Sequence, residues 1–418
     1  MPMRSKLPLL SALSVGAVVL ACQTYDFEPV EPLAIAQTTV EEVIKARQSK
    51  PNIMLLVDTS GSMTYPVNPS PACDVEFKGS IVPCGGEAPC NVDVCPTRWT
   101  TLQSVVPQFL ENSGRFVRFA LTTYPETRGG ESIPDLCRAS TAGALLKTLP
   151  EQEDDDSLLA HANEINTLLQ GIPNGGEGRP LGGTPTSGSL NFVGGLEGLQ
   201  DPDRENFVIL LTDGLPNCNA ANPNSGANPE LCKCTIEGNQ CQSGYLNRGC
   251  LDTDASVTAV RELHEKGIQT IVIGFGAETA VGDGPAVLEA MARAGGFKRT
   301  CSAERPCGEG DTCNPTTGLC NRSFFQAGNQ AELASALEEI SLAVKIPEPC
   351  LIRLDGPQRP TDPKLLVVYV EGERTPSSDS TWTLNDDGVR FTGQICERIL
   401  ASTPEAPVKI EVRAIRQR

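Results

Sequence analysis

Histidine is nearly missing from this 418-residue chain, occurring only at positions 161 and 264, both in helix-like segments. Proton transfer near neutral pH draws first on imidazole, so general acid–base chemistry has little material here, and the two rings read as surface or capping groups. Clustered positive charge is missing too. Lys and Arg number 34 against 52 Asp and Glu, for a formal net charge of −18, which argues against nonspecific binding to nucleic acid or anionic lipid. No Cys-x-x-Cys pair occurs, which argues against zinc. No nucleophile is spaced with a base, so the chain is not read as an enzyme.

Cysteine, in contrast, is abundant at 17 residues, a count that fits an oxidising compartment. Cys22 stands apart from the rest. Arg4 and Lys6 precede an apolar run over residues 7–20, and Val19-Leu20-Ala21 stands immediately before Cys22. The run is too short and wrongly flanked for a spanning helix, and it reads as a secretory signal. Its end resembles the lipobox of bacterial lipoproteins, which implies cleavage before Cys22, acylation of that cysteine, and a membrane contact made through the lipid alone. Gln23 in the next position implies, by the same resemblance, the outer membrane. Removing Cys22 leaves an even set of cysteines, enough to pair completely.

The stretch that organises the chain is residues 52–63, NIMLLVDTSGSM. Ile53, Met54, Leu55, Leu56 and Val57 form a short apolar run that reads as a strand buried on both faces. Asp58, Ser60 and Ser62 then leave its carboxyl end at i, i+2 and i+4, a spacing that can aim three oxygens at one hard divalent cation. A second such strand, residues 207–211, ends in Thr212-Asp213-Gly214, and a third covers 269–275. Between the first two lies PLGGTPTSGSLN, residues 180–191, whose paired glycines suit a tight loop ahead of Thr184, with a helix expected over 190–199. Helical periodicity marks residues 99–110, 158–169 and 331–346. Strands alternating with helices imply an α/β fold with a doubly wound, mainly parallel sheet, and such sheets place their sites beyond the strands' carboxyl ends.

The expected organisation is a signal peptide over 1–21, a lipidated tether over 22–50, one large domain over 51–346, and a small β domain over 347–418. Residues 38–50 are open between helix and strand. Cysteine-rich insertions interrupt the large domain near 63–96, 217–250 and 301–320. The first two leave directly after the oxygen-bearing motifs and should rim any site there; the third enters before the last strand and should lie on the far side. Parity suggests closure within 73–95 and within 301–320, with Cys137 joining the odd group at 218–250. Cys350 and Cys396 are the only cysteines of the β region and are paired by elimination. The alternation of Val408, Ile410 and Val412 with charged residues reads as a half-buried strand, and Asp386-Asp387-Gly388 as a hairpin turn.

The ordered set Asp58, Ser60, Ser62, Thr184 and Asp213 resembles the metal-ion-dependent adhesion site of von Willebrand factor A domains, over about residues 51–346. The resemblance implies that Ser60, Ser62 and Thr184 coordinate the ion directly or through water while Asp58 and Asp213 supply charge. Two carboxylates and three hydroxyls suit Mg²⁺, with Mn²⁺ and Ca²⁺ as alternatives. It also implies an incoming carboxylate that completes the coordination. The whole chain further resembles myxobacterial outer-membrane lipoprotein adhesins of adventurous gliding motility, which implies a cell-surface protein coupling envelope gliding machinery to an external substratum. The competing expectation is a structural envelope lipoprotein that scaffolds a complex, its metal only stabilising the fold.

Overall fold

The computed structural model describes residues 43–45, 50–127, 132–202, 204–225, 229–236, 241, 248–302, 306–344, 350–354, 363–385, 388–400 and 408–414. The readings on the signal, on Cys22 and on Asp386-Asp387 fall outside these residues. Among the described residues, no helix is long and apolar enough to cross a membrane.

Six strands form the central sheet, in the order Phe325–Ala327, Ile268–Phe275, Asn206–Thr212, Asn52–Asp58, Arg118–Tyr124 and Leu145–Lys147. All neighbours pair in parallel except the last two, which are antiparallel. The fold is therefore the doubly wound, mainly parallel α/β arrangement that the alternating pattern implies. The continuous apolar runs have a simple cause: successive side chains of a strand point to opposite faces, and here both faces are covered. Ile53, Leu55 and Val57 enter one core with helices Arg98–Ser113, Asp155–Gln170 and Gln330–Val344. Met54 and Leu56 enter the other with Thr186–Val193, Thr253–Glu265 and Gly284–Ala294. Every residue of the Asn52–Asp58 strand is buried, so truncating Leu56 to Ala would cost about 2–5 kcal/mol.

Sequence order along the sheet reverses between Asn52–Asp58 and Asn206–Thr212. Connections diverge to opposite sides at such a point and leave a crevice above the strand ends. Asp58 and Asp213 stand at that crevice.

Some boundaries differ from the sequence reading. The helix expected from 190 begins at Thr186, directly after Pro185, and it ends at Val193 before two glycines. The apolar run over residues 116–124 also predicts a strand, but Phe116 lies outside the Arg118–Tyr124 strand and is exposed. Asp154 caps Asp155–Gln170 by accepting from the Ser157 amide, and Asp155 and Asp156 follow in the first turn, where the helix dipole favours carboxylates.

The 16 cysteines from Cys73 onward form eight disulfides. Cys73–Cys95 and Cys84–Cys90 close the first insertion, and their sulfurs with Val75 make its small core. It also carries a hairpin, Asp74–Phe77 against Ser80–Pro83, that the sequence reading missed. Lys78 and Gly79 both take positive φ at its turn, the two-residue geometry that matches strand twist. Cys232–Cys250 and Cys234–Cys241 close the second insertion, and Cys137 bridges to Cys218 across 81 residues, the longest span of the eight. Cys301–Cys313 and Cys307–Cys320 close the third. Arg299 holds that block in place, donating to the carbonyls of Cys307 and Phe324 and pairing with Asp311 and with Glu339 of the Gln330–Val344 helix.

After residue 350 two small sheets share one core that includes Val368, Trp382, Val389, Phe391 and Ile410, with Cys350 joined to Cys396. A helix, Gly393–Leu400, carries Cys396 within this mostly β region. Val43–Lys45 pairs antiparallel with Lys409–Ala414, so part of the stretch left open between helix and strand is a strand, added to the edge of the carboxyl-terminal sheet.

Candidate functional site

The site grows from the end of the Asn52–Asp58 strand. Asp58 is fully buried, and both its oxygens are held: Oδ1 accepts from the Ser60 amide at 2.8 Å and Oδ2 from the Thr212 hydroxyl at 2.8 Å. That geometry turns the chain back on itself and brings Ser60 Oγ to 3.0 Å from Ser62 Oγ. Ser62 in turn donates to Asp213 Oδ1 at 2.9 Å. Thr184 arrives from the glycine-rich loop. A point beside the Gly214 Cα lies 3.8 Å from both Ser62 Oγ and Thr184 Oγ1, so the two hydroxyls flank the turn that follows Asp213. The structure thus gathers Asp58, Ser60, Ser62, Thr184 and Asp213 around one end of the sheet.

Charge is unbalanced there. Burial and the negative charge of Asp213 push the Asp58 pKa up to about 7, against the hydrogen bonds from Ser60 and Thr212. Asp213, also fully buried, is raised by desolvation, an effect that Arg98 opposes. Arg98 donates from Nη1 to Asp213 Oδ2 at 2.7 Å and from Nη2 to Glu278 Oε1 at 3.0 Å. Its side chain is 3% exposed, whereas that of Glu278 is 56% exposed. Burial works against the guanidinium charge, but the two carboxylates outweigh it and hold the group above its ordinary pKa.

Neither Arg98 nor Glu278 was singled out by sequence reasoning, and Asn217, which accepts from the Thr184 amide at 2.7 Å, was seen only as the start of an insertion. Arg98 did leave a signal. It sits directly after the capping Thr97, at the first position of its helix, where the macrodipole disfavours a cation. A buried Arg in that place needs a carboxylate nearby.

The donors that converge are oxygens only, two carboxylates and three hydroxyls, which fits a hard divalent cation and not a thiolate-seeking metal. Hydroxyls add no charge, so such an ion would stay electrophilic toward a further ligand. Cys301, Cys307, Cys313 and Cys320 also crowd together near Asp311, but their sulfurs are consumed in disulfides and offer no thiolate. The two histidines serve packing: His161 Nε2 meets the Phe119 carbonyl at 2.9 Å, and the His264 ring lies over Gly296.

Above the oxygens opens a cleft of about 620 Å³ with Ser62, Thr184, Arg98 and Glu278 on its floor. Tyr65, Pro69 and Asp74 of the first insertion and Thr235 and Ile236 of the second form its walls. Both insertions therefore rim the site.

No protein-family model matches the chain, and no curated protein matches it. Solved structures do. The pilus adhesin SpaC from Lactobacillus rhamnosus GG is 13% identical over 87% of this chain and 40% of its own, with a TM-score of 0.38. Manganese-loaded TRAP protein from Plasmodium vivax is 15% identical over 69% of this chain and 72% of its own, with a TM-score of 0.34. A von Willebrand factor type A protein from Catenulispora acidiphila is 14% identical over 88% and 59%, with a TM-score of 0.35. This chain spans less than two thirds of the length of the pilus adhesin and of the Catenulispora protein.

Proposed function

We propose that this protein is a surface adhesin of the von Willebrand factor A type that grips an external ligand through a divalent cation, Mg²⁺ before Mn²⁺ or Ca²⁺. Asp58, Ser60, Ser62, Thr184 and Asp213 would hold the ion. One observation carries the reading: two fully buried carboxylates stand directly beneath an open cleft whose floor presents Ser62 and Thr184, with a negative surplus that Arg98 only partly offsets. The bound cation would offer a coordination position to a carboxylate on the ligand. Asp58 and Asp213 supply charge without reaching into solvent, and the stapled insertions restrict which ligands approach.

In the fuller form of the proposal, Cys22 carries a lipid that anchors the chain in the outer membrane, and the protein links envelope gliding machinery to the substratum. The lipobox and the overall resemblance to gliding-motility adhesins support that form. Labelling with a palmitate analogue, lost on Cys22→Ala, tests the anchor. Asp58→Ala and Thr184→Ala test adhesion: attachment should be abolished while the protein still reaches the surface and its partners still assemble. Loss of partner assembly with metal binding intact would favour the scaffold reading. Calorimetric titration of Mg²⁺, Mn²⁺ and Ca²⁺ into the soluble domain, beside Asp58→Ala, tests the cation directly.

A further inference from the structure

The loop that delivers Thr184 is held on two flanks of different origin. On one flank the Leu181 amide donates to the Thr59 carbonyl and the Gly61 amide to the Gly182 carbonyl, both at 2.9 Å, tying the loop to the turn after Asp58. On the other flank the partners come from two segments outside the central sheet. The Gly183 amide donates to the Leu136 carbonyl at 2.9 Å. The Thr184 amide donates to Asn217 Oδ1 at 2.7 Å, and the Asn217 amide returns a bond to the Thr184 carbonyl at 2.9 Å. The approach to Leu136 is close enough to demand glycine: Gly182 has φ +101°, and a Cβ there would lie 2.5 Å from the Leu136 carbonyl oxygen.

Leu136 and Asn217 are the residues immediately before Cys137 and Cys218, and those two cysteines are bonded to each other. The bridge thus joins the two segments that hold the second flank. Asn217 extends the grip outward, donating from Nδ2 to Thr235 Oγ1 at 2.9 Å, and Thr235 donates to the Gly249 carbonyl at 2.9 Å inside the second insertion. Thr235 also lines the cleft.

We infer that Asn217 and the Cys137–Cys218 disulfide are the positioning elements for Thr184, so that the second insertion sets the strength of cation binding as well as the shape of the cleft. Neither touches the ion. They fix the backbone from which the Thr184 hydroxyl projects, as outer partners of metal ligands do, where their loss typically weakens affinity ten- to hundredfold. The inference rests on the cation reading above, and its test is built so that the two can fail separately.

The test compares wild type with Asn217→Ala, with Cys137→Ala plus Cys218→Ala, and with Cys301→Ala plus Cys313→Ala as a bridge removed from the third insertion. Amide hydrogen exchange in metal-free protein comes first. Exchange at Gly183 and Thr184 should rise at least about tenfold in the first two variants and stay at the wild-type rate in the third. Titration with Mn²⁺ follows, the dissociation constant rising about ten- to hundredfold in the same two variants. Water-proton relaxation should report an additional water on the bound Mn²⁺, a signature that a general loss of stability would not give.

Unchanged exchange and unchanged Mn²⁺ affinity in folded Asn217→Ala and bridge-free protein would overturn the inference. Should the bridge-free chain fail to fold, Asn217→Ala with Thr235→Val decides by the same readings. If wild type itself takes up no Mn²⁺, the cation reading fails, and the exchange rates alone still show whether these elements position the loop.

Discussion

The two edges of the parallel sheet handle charge differently. At the amino-terminal edge, Lys50 reaches Asp155 at 2.5 Å and the carbonyls of Arg115 and Glu153. Arg204 reaches Glu153 at 2.5 Å and Asp201 at 3.0 Å, and Arg118 adds a second contact to Glu153 at 3.5 Å. Three cations there face three carboxylates. At the carboxyl edge Asp213 and Glu278 both take their ion pair from Arg98, and Asp58 has none among the described residues. The first arrangement closes on itself and holds strand starts in register. The second leaves negative charge buried directly beneath a cleft that Ser62 and Thr184 line, which is the asymmetry the proposed cation would relieve.

The largest effect is expected from Arg98→Ala. It breaks a pair buried on both sides and leaves Asp213 without its cation, a change that costs about 3–5 kcal/mol. Urea unfolding with and without Mn²⁺ sharpens the comparison, because a cation at the site should recover part of that loss by taking over Asp213. If saturating Mn²⁺ recovers nothing, Arg98 and the ion do not share that carboxylate.

Next in size is Asp58→Asn, which keeps the shape and removes the charge. Divalent affinity should fall at least about 100-fold, roughly 2.7 kcal/mol. Metal-free stability should hold or rise slightly, since an amide is cheaper to bury than a carboxylate: its oxygen can still accept from the Ser60 amide, and its NH2 can donate to Thr212 Oγ1 while that hydroxyl turns to the Gly214 carbonyl. A metal-free variant clearly less stable than wild type would place Asp58 with the self-closing charges of the opposite edge.

The fold was legible because its central strands are buried on both faces. That burial demands unbroken apolar runs, and Ile53 to Val57 and Phe207 to Leu211 show them without ambiguity. Asp58, Ser60, Ser62 and Asp213 were legible because they follow those runs directly, and Thr184 because paired glycines announce a tight loop. What stayed hidden depends on contacts between distant segments. Asn217 acts through a loop 33 residues away, and Glu278 meets Arg98 across 180 residues. Val43–Lys45 and Leu351–Arg353 are three-residue strands, too short for periodicity to speak. The Gly393–Leu400 helix was hidden in a stretch otherwise read as alternating strands.

A smaller effect is expected at the opposite edge. Glu153→Gln removes the carboxylate shared by Arg118 and Arg204, both partly or largely buried, and should cost about 1–2 kcal/mol. Cation affinity should not move. A change in Mn²⁺ binding would mean that the edges are coupled through the strands and that the separation drawn between them is too clean.

The smallest concerns how Arg98 is aimed. Thr97 caps its helix reciprocally with Thr100: the Thr97 hydroxyl accepts from the Thr100 amide at 3.1 Å, and the Thr100 hydroxyl accepts from the Thr97 amide at 2.9 Å. Thr97→Ala should cost about 1 kcal/mol by loss of the cap. Because Arg98 is the next residue, the frayed turn should also loosen its hold on Asp213. In thermal unfolding, Thr97→Ala should therefore cost less when Arg98 is already Ala, the loss of the cap remaining and the loosened hold on Asp213 dropping out. Additive losses would show that the cap stabilises the helix alone and that the aim of Arg98 is set by its two carboxylates.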